Sequence, residues 1–187
     1  VIWAMIPFRA VLGETALAVR APAIAASLLI GVLLLPLLRR LGGGIREAAV
    51  AYLLLHATPL FFLGSFYAST DIAMIAASLG ATWAAVAIVQ GERRAWWGFG
   101  VAIGLGFLAK FPAVLVLAGL VPVLTRREAR RDLRTPTPYL AAALAIALTA
   151  PVWIWAAQHN WDSFAFQLRD RHDGGAFGIK HVLEFVL

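Results

Sequence analysis

Gly104-Leu-Gly-Phe-Leu-Ala-Lys110-Phe-Pro112 lies inside an apolar run from Ala95 to Leu124, and its reading sets the path of the whole chain. As one helix the run is half again as long as the ~20 residues that cross a bilayer. As two short helices it turns at Lys110. Pro112 disfavours helix at Phe111 and clashes with the preceding turn, which supports the second reading. Loop charge supports it too. The segments Arg39 to Glu47, Gln90 to Trp97 and Thr125 to Thr135 hold ten of the sixteen basic residues and four of the ten acidic ones. Basic loops stay on the cytoplasmic side. Only a hairpin at Lys110 keeps the second and third of these loops on one face.

Composition agrees with a membrane setting. The chain has 187 residues, 61% of them hydrophobic and 14% charged, with a mean hydropathy of +0.82. Such values depart from those of soluble domains. With no cysteine, disulfides and thiolate metal sites are excluded. The net charge of +6 is a topology signal, because the remaining loops carry six basic and six acidic residues; nucleic acid is not an expected partner. No signal-peptide pattern opens the chain. Val1 and the closing Lys180 to Leu187 read as cuts through a longer protein.

The expected fold is all-α and polytopic, a single transmembrane domain over 1–187. An interfacial helix covers Val1 to Thr15 and ends at Gly13, with Trp3 and Arg9 suited to the headgroup region. Spans follow at about 21–38, 48–66, 72–89, 95–109, 111–124 and 139–157, helical because helices satisfy their backbone inside lipid. Pro22 suits the first helical position of its span, and Pro59 a kink. Residues 158–178 form an outer loop.

This topology brings Asp71, Lys110 and the 158–178 loop to the outer face at similar depth. An ionisable residue at the border of a span suggests function. Lys110 suits a phosphate as a point charge, and Arg169 or Arg171 suits it bidentately. Asp71 can take a proton from an acceptor. Trp161, Phe164 and Phe166 can line a sugar or lipid path. Each has a plainer reading beside it. Asp71 can cap the following helix, Lys110 can snorkel, and the rings can form an aromatic belt. His159, His172 and His181 with Glu184 match no standard metal-ligand spacing. His56 fits a packing group within the bundle, and Glu14 a solvated or capping residue.

The order of segments resembles glycosyltransferase family 39, within the GT-C fold group of protein O-mannosyltransferases and aminoarabinose transferases. The resemblance rests on four passages. They are Val11-Leu-Gly-Glu14 leading to Arg20-Ala-Pro22, Tyr67-Ala-Ser-Thr-Asp71, Gly104-Leu-Gly-Phe-Leu-Ala-Lys110-Phe-Pro112, and Trp161-Asp-Ser-Phe-Ala-Phe-Gln167. It implies transfer of a sugar from a polyprenyl-phosphate donor to a protein, lipid or glycan acceptor on the outer, extracytoplasmic face of the plasma (inner) membrane. Asp71 then matches the family's second acidic position, and Lys110 the hairpin lysine. Arg169 or Arg171 matches a basic group of the later loop, with Trp161 and Gln167 as further substrate contacts. A divalent metal is a candidate cofactor with no residue assigned to it. The family's principal catalytic acid corresponds to a position upstream of Val1, and Ala156 stands where relatives often carry Asn. The rival readings are a small-solute or lipid transporter, which would break its helices, repeat internally and place charge near the midplane, and a non-catalytic membrane subunit.

Overall fold

The computed structural model describes residues 2–67 and 69–166. The described residues are helical, without a strand. Helix α1 (Ile2–Leu12) ends where Gly13 takes φ +65 and donates its N–H to the Arg9 carbonyl at 2.9 Å. This left-handed stop is one glycine adopts without a Cβ penalty. Helix α2 (Ala16–Arg40) starts earlier than its apolar run suggests. Thr15 caps it by accepting the Ala18 N–H at 3.2 Å, so Pro22 lies inside the helix rather than at its first position. A capping hydroxyl satisfies a terminal N–H, and the helix then runs on through Pro22 and Pro36.

The next span is broken rather than kinked. Helix α3 (Ile45–Ala57) stops at Thr58, whose φ −82 and ψ 124 are extended, and α4 (Pro59–Gly64) restarts at the proline. Pro59 has no N–H to give the Leu55 carbonyl. Thr58 supplies both substitutes, its own N–H at 3.1 Å and its hydroxyl at 2.6 Å. The Leu55 carbonyl is thus satisfied without the proline.

Helix α5 (Thr70–Val89) joins two buried clusters. One packs Ile72 and Ala76 against Ile30, Leu34, Ala48 and Phe61; the other packs Ala81, Ala84, Ala87 and Ile88 against Ala95, Trp96, Phe99, Val123 and Ala129. Val123 and Ala129 beside Ala95 and Trp96 mean that the chain turns back on itself. The hairpin corner is Lys110, extended at φ −159 and ψ 130, between α6 (Ala95–Ala109) and a 3₁₀ segment (Phe111–Gly119) that leads into α7 (Leu120–Leu124). At about 2.0 Å per residue against 1.5 Å, the 3₁₀ winding lets this 14-residue leg cover about 25 Å. That matches the 15 residues of α6.

Two more helices follow on this side of the chain, α8 (Arg127–Asp132) and α9 (Thr137–Gln158). Glycines set how closely α6 meets its neighbours. A Cβ on Gly100 would sit 2.3 Å from the Ala141 carbonyl oxygen, and one on Gly104 would lie 3.0 Å from Leu148. Small residues four apart allow such close approach where lipid offers no hydrophobic drive.

Helices α2, α5 and α9 are each long and apolar enough to cross a membrane, and α6 and Phe111–Leu124 are shorter apolar helices. Large apolar side chains such as Val32, Leu53, Leu60, Val121 and Ile146 are exposed, as expected where lipid is the solvent. The protein is an all-α, multi-pass membrane protein. The chain divides into two compact units, Val1–Thr149 and Ala150–Leu187. The described part of the second contains the end of α9, a turn, and α10 (Asp162–Ala165).

Candidate functional site

The three basic loops of the sequence meet at one end of the first unit. Arg40 donates to both Glu92 oxygens, at 2.9 and 2.7 Å, and to Gln90 at 2.7 Å. The Trp96 indole N–H donates to Asp132 at 3.0 Å. These bonds tie the first loop to the second and the second to the third. The hairpin at Lys110 therefore does what the charge pattern required of it.

At the opposite end of α5 lies the pair that sequence reasoning singled out. Ser69, at φ −94 and ψ 141, is the N-cap of α5 and accepts the Asp71 N–H at 3.0 Å. The cap role thus falls to Ser69, and the Asp71 carboxylate is left to face outward from the first turn. Its Oδ2 accepts the Ser69 hydroxyl at 3.1 Å, and its Oδ1 accepts from Lys110 Nζ at 2.5 Å.

Lys110 reaches this point because of local packing. Gly106, one turn earlier, lies in a tight place: a Cβ there would come within 3.2 Å of Ala77 of α5 and of Ala113 of the return leg, closer than such atoms ordinarily pack. The corner is thereby pressed against α5. Lys110 N–H closes α6 on the Gly106 carbonyl at 2.9 Å, and the Lys110 carbonyl accepts the Ala113 N–H at 3.0 Å. Phe107 and Phe111 flank the corner with rings 5.5 Å apart, edge to face.

The pair remains open to the surroundings. The Lys110 and Asp71 side chains keep 40% and 52% of their exposure. A fully buried pair could not admit a ligand between its charges; this one can. Chemically it offers an ammonium with donors to spare for an anion and a carboxylate with lone pairs to spare for a proton. Among the described residues no group of three or more His, Asp or Glu side chains is placed to hold a metal ion.

The other expected site residues fall differently. Trp161 belongs to the second unit. It follows Asn160 in a turn where both residues are left-handed, at φ 50 and φ 60, and its N–H closes the end of α9 on the Ala156 carbonyl at 2.9 Å. This is a Schellman-type stop with Asn at the left-handed position. The Trp161 ring lies 6.3 Å from Trp153 and 5.8 Å from Phe164, and it is half exposed. Ala156 is 1% exposed. Gln167, Arg169 and Arg171 lie outside the described residues, as do His172, His181 and Glu184. His159 stacks on Trp155 with ring centres 4.2 Å apart and its Nδ1 meets the Trp155 carbonyl at 2.9 Å.

Glu14 forms an ion pair with Arg9, and both are solvent-facing. His56 is a packing group. Its Nδ1 donates to the Tyr52 carbonyl at 3.0 Å, which leaves Nε2 to accept from the Ser27 hydroxyl at 3.3 Å; Ser27 in turn accepts from the Tyr52 hydroxyl at 3.3 Å. This closed circuit satisfies buried polar groups between α2 and α3. Its participants are too far apart in sequence for spacing alone to have revealed it.

The family described as dolichyl-phosphate-mannose-protein mannosyltransferase matches residues 1–155. The chain belongs to this family of membrane glycosyltransferases. No curated protein and no solved structure matches it.

Proposed function

We propose that this chain is part of an enzyme that moves a sugar from a polyprenyl-phosphate donor to an acceptor on the extracytoplasmic face of the plasma membrane. The observation that carries the proposal is the Asp71–Lys110 contact at 2.5 Å. It joins two residues 39 positions apart, at the end of the bundle opposite the arginine-rich loops. By the positive-inside rule those loops belong in the cytoplasm, which leaves the pair outside.

In the resting site the two charges satisfy each other. A lipid phosphate arriving at Lys110 competes with Asp71 for the ammonium. It thereby frees the carboxylate next to the acceptor. The acceptor hydroxyl oxygen then forms the new bond to the anomeric carbon, the carbon–oxygen bond to the phosphate breaks with its electron pair going to the phosphate, and the acceptor proton passes to a carboxylate. Asp71 serves as that base or orients the group that does, and Lys110 balances the growing charge on the leaving phosphate. The family resemblance assigns further substrate contacts to Trp161, Gln167, Arg169 and Arg171, in the segment that follows α9.

A transporter accounts less well for these features. The middle of the described spans carries no Asp, Glu, Lys or Arg, where a transporter's midplane charges would lie. A purely structural subunit would tolerate loss of the pair. The test uses the full-length protein in membranes, offered a panel of labelled polyprenyl-phosphate sugars, with wild type compared to Asp71→Asn and Lys110→Met at matched expression. Transfer that collapses in both variants supports the reading. Transfer that survives in both returns the pair to a structural role, and transfer from no donor overturns the donor class.

A further inference from the structure

A cleft of about 400 Å³ opens at the other end of the bundle, among the basic loops. Gly91 and Arg93 line it from the turn between α5 and α6, Arg127, Glu128, Arg131 and Asp132 from α8, and Thr135 from the approach to α9. Its charges are unevenly committed. Asp132 is engaged by the Trp96 indole, and nearby Glu92 by Arg40. Among the described residues, Arg93, Arg127 and Arg131 form no ion pair at all, although two carboxylates share their walls. Arg94, Arg126, Arg130 and Arg134 add to the positive field from the same two loops.

Three uncommitted guanidinium groups around one cavity call for a multivalent oxyanion, since each presents a fork that matches phosphate oxygens. The position of the cleft narrows the source. It lies where α5 ends and α6 begins, the level at which lipid headgroups sit against a spanning helix. Trp97 and Tyr139 are exposed beside these helix ends, as interfacial rings are. Beyond Thr135, exposed Tyr139, Ala143 and Ile146 lie at helical spacing along one face of α9. An acyl chain has an apolar face to follow there; a free phosphate has no use for one.

We infer that this cleft binds the phosphodiester headgroup of an anionic glycerophospholipid through Arg93, Arg127 and Arg131. The site is distinct from the Asp71–Lys110 pair at the opposite end, and does not depend on the reaction assigned to that pair. A bound headgroup would cross-link the α5–α6 turn to α8 and so brace the loop end of the bundle.

The test titrates the purified full-length protein in detergent with short-chain phosphatidylglycerol, phosphatidylcholine or inorganic phosphate, and counts adducts by native mass spectrometry. Saturable binding of phosphatidylglycerol, with little of phosphatidylcholine, is expected. Neutralising an arginine should weaken it roughly fivefold per residue, the effect of about one surface cation on an anionic lipid. Arg127→Gln/Arg131→Gln should therefore lose the adduct, while Arg46→Gln, a basic residue of another loop outside the cleft, should keep it. Arg127→Lys/Arg131→Lys retains the charge and should keep most of the binding, which separates ligand contact from misfolding. Equal binding of both lipids, or phosphatidylglycerol binding unchanged in Arg127→Gln/Arg131→Gln, would overturn the site. Inorganic phosphate competing on equal terms would overturn the lipid as its source.

Discussion

Arg40 and Lys110 each close an ion pair at one end of the same bundle, Arg40 with Glu92 at 2.7 Å and Lys110 with Asp71 at 2.5 Å. The resemblance ends with the distances. Arg40 also reaches Gln90, its carbonyl accepts the Gln90 amide, and its guanidinium lies 5.1 Å over the Trp83 ring. Its side chain is only 18% exposed. Everything about Arg40 fastens one loop to another. Lys110 has one carboxylate partner, more than twice that exposure, and a backbone corner beneath it. A pair embedded in further contacts is a clasp; a pair that stands alone and open can exchange its partner for a ligand.

The largest expected effect comes from exchanging the charges. Asp71→Lys with Lys110→Asp keeps an ion pair but misplaces both groups. Sugar transfer should fall at least about a hundredfold, the low end of what a positioned proton-transfer group contributes. The melting temperature should hardly move, since exposed pairs contribute only about 0–1 kcal/mol. The same exchange at Arg40 and Glu92 should leave transfer near wild type. If both exchanges abolish transfer equally, the two ends do not differ in kind.

An intermediate effect is expected from Gly100→Ala. The added methyl group meets the Ala141 carbonyl at 2.3 Å, so α6 and α9 must separate. Overpacking of this sort costs about 1–3 kcal/mol. Thermal unfolding in detergent should shift down, while transfer per folded molecule is retained. Loss of transfer without loss of stability would tie the loop end to the chemistry and erase the contrast.

The smallest effect is electrostatic. The Arg40 hydrogen bond holds the Glu92 carboxyl below its ordinary value of 4.5. With a folded value depressed below the unfolded one, the stabilisation is present above pH 4.5 and is lost as pH falls through the lower folded value. Glu92→Gln should flatten the acid limb of a pH–stability profile slightly. High salt should do the same, because the carboxylate is solvent-facing and screened. An unchanged profile would reduce Arg40 to packing on Trp83.

The parts of this architecture legible in the sequence are those written in charge and apolar length. Basic loops sort to one side for reasons independent of side-chain rotamers, so the turn at Lys110 could be placed from a count of arginines. Asp71 and Lys110 could then be expected at the opposite end, and they meet there. What stayed hidden depends on hydrogen bonds that no composition records. Pro22 reads as a helix start until Thr15 is seen to cap α2 well before Ala21, and Thr58 rescues a carbonyl that Pro59 abandons, turning a kink into a break. The tight glycines of α6 are visible as residues, but the carbonyl that Gly100 accommodates comes from a helix 41 positions on. The uncommitted arginines of α8 are likewise visible as a charge run; only the engagement of their neighbours makes them a site.

The nine-residue 3₁₀ segment below Lys110 stores length. Rewinding it as an α-helix would shorten it by about 0.5 Å per residue, or about 4.5 Å in all. That retraction exceeds the span of the contact with Asp71. The height at which Lys110 meets Asp71 is therefore set in part by the pitch of the segment that follows it, and a change of that pitch is large enough on its own to part the two charges.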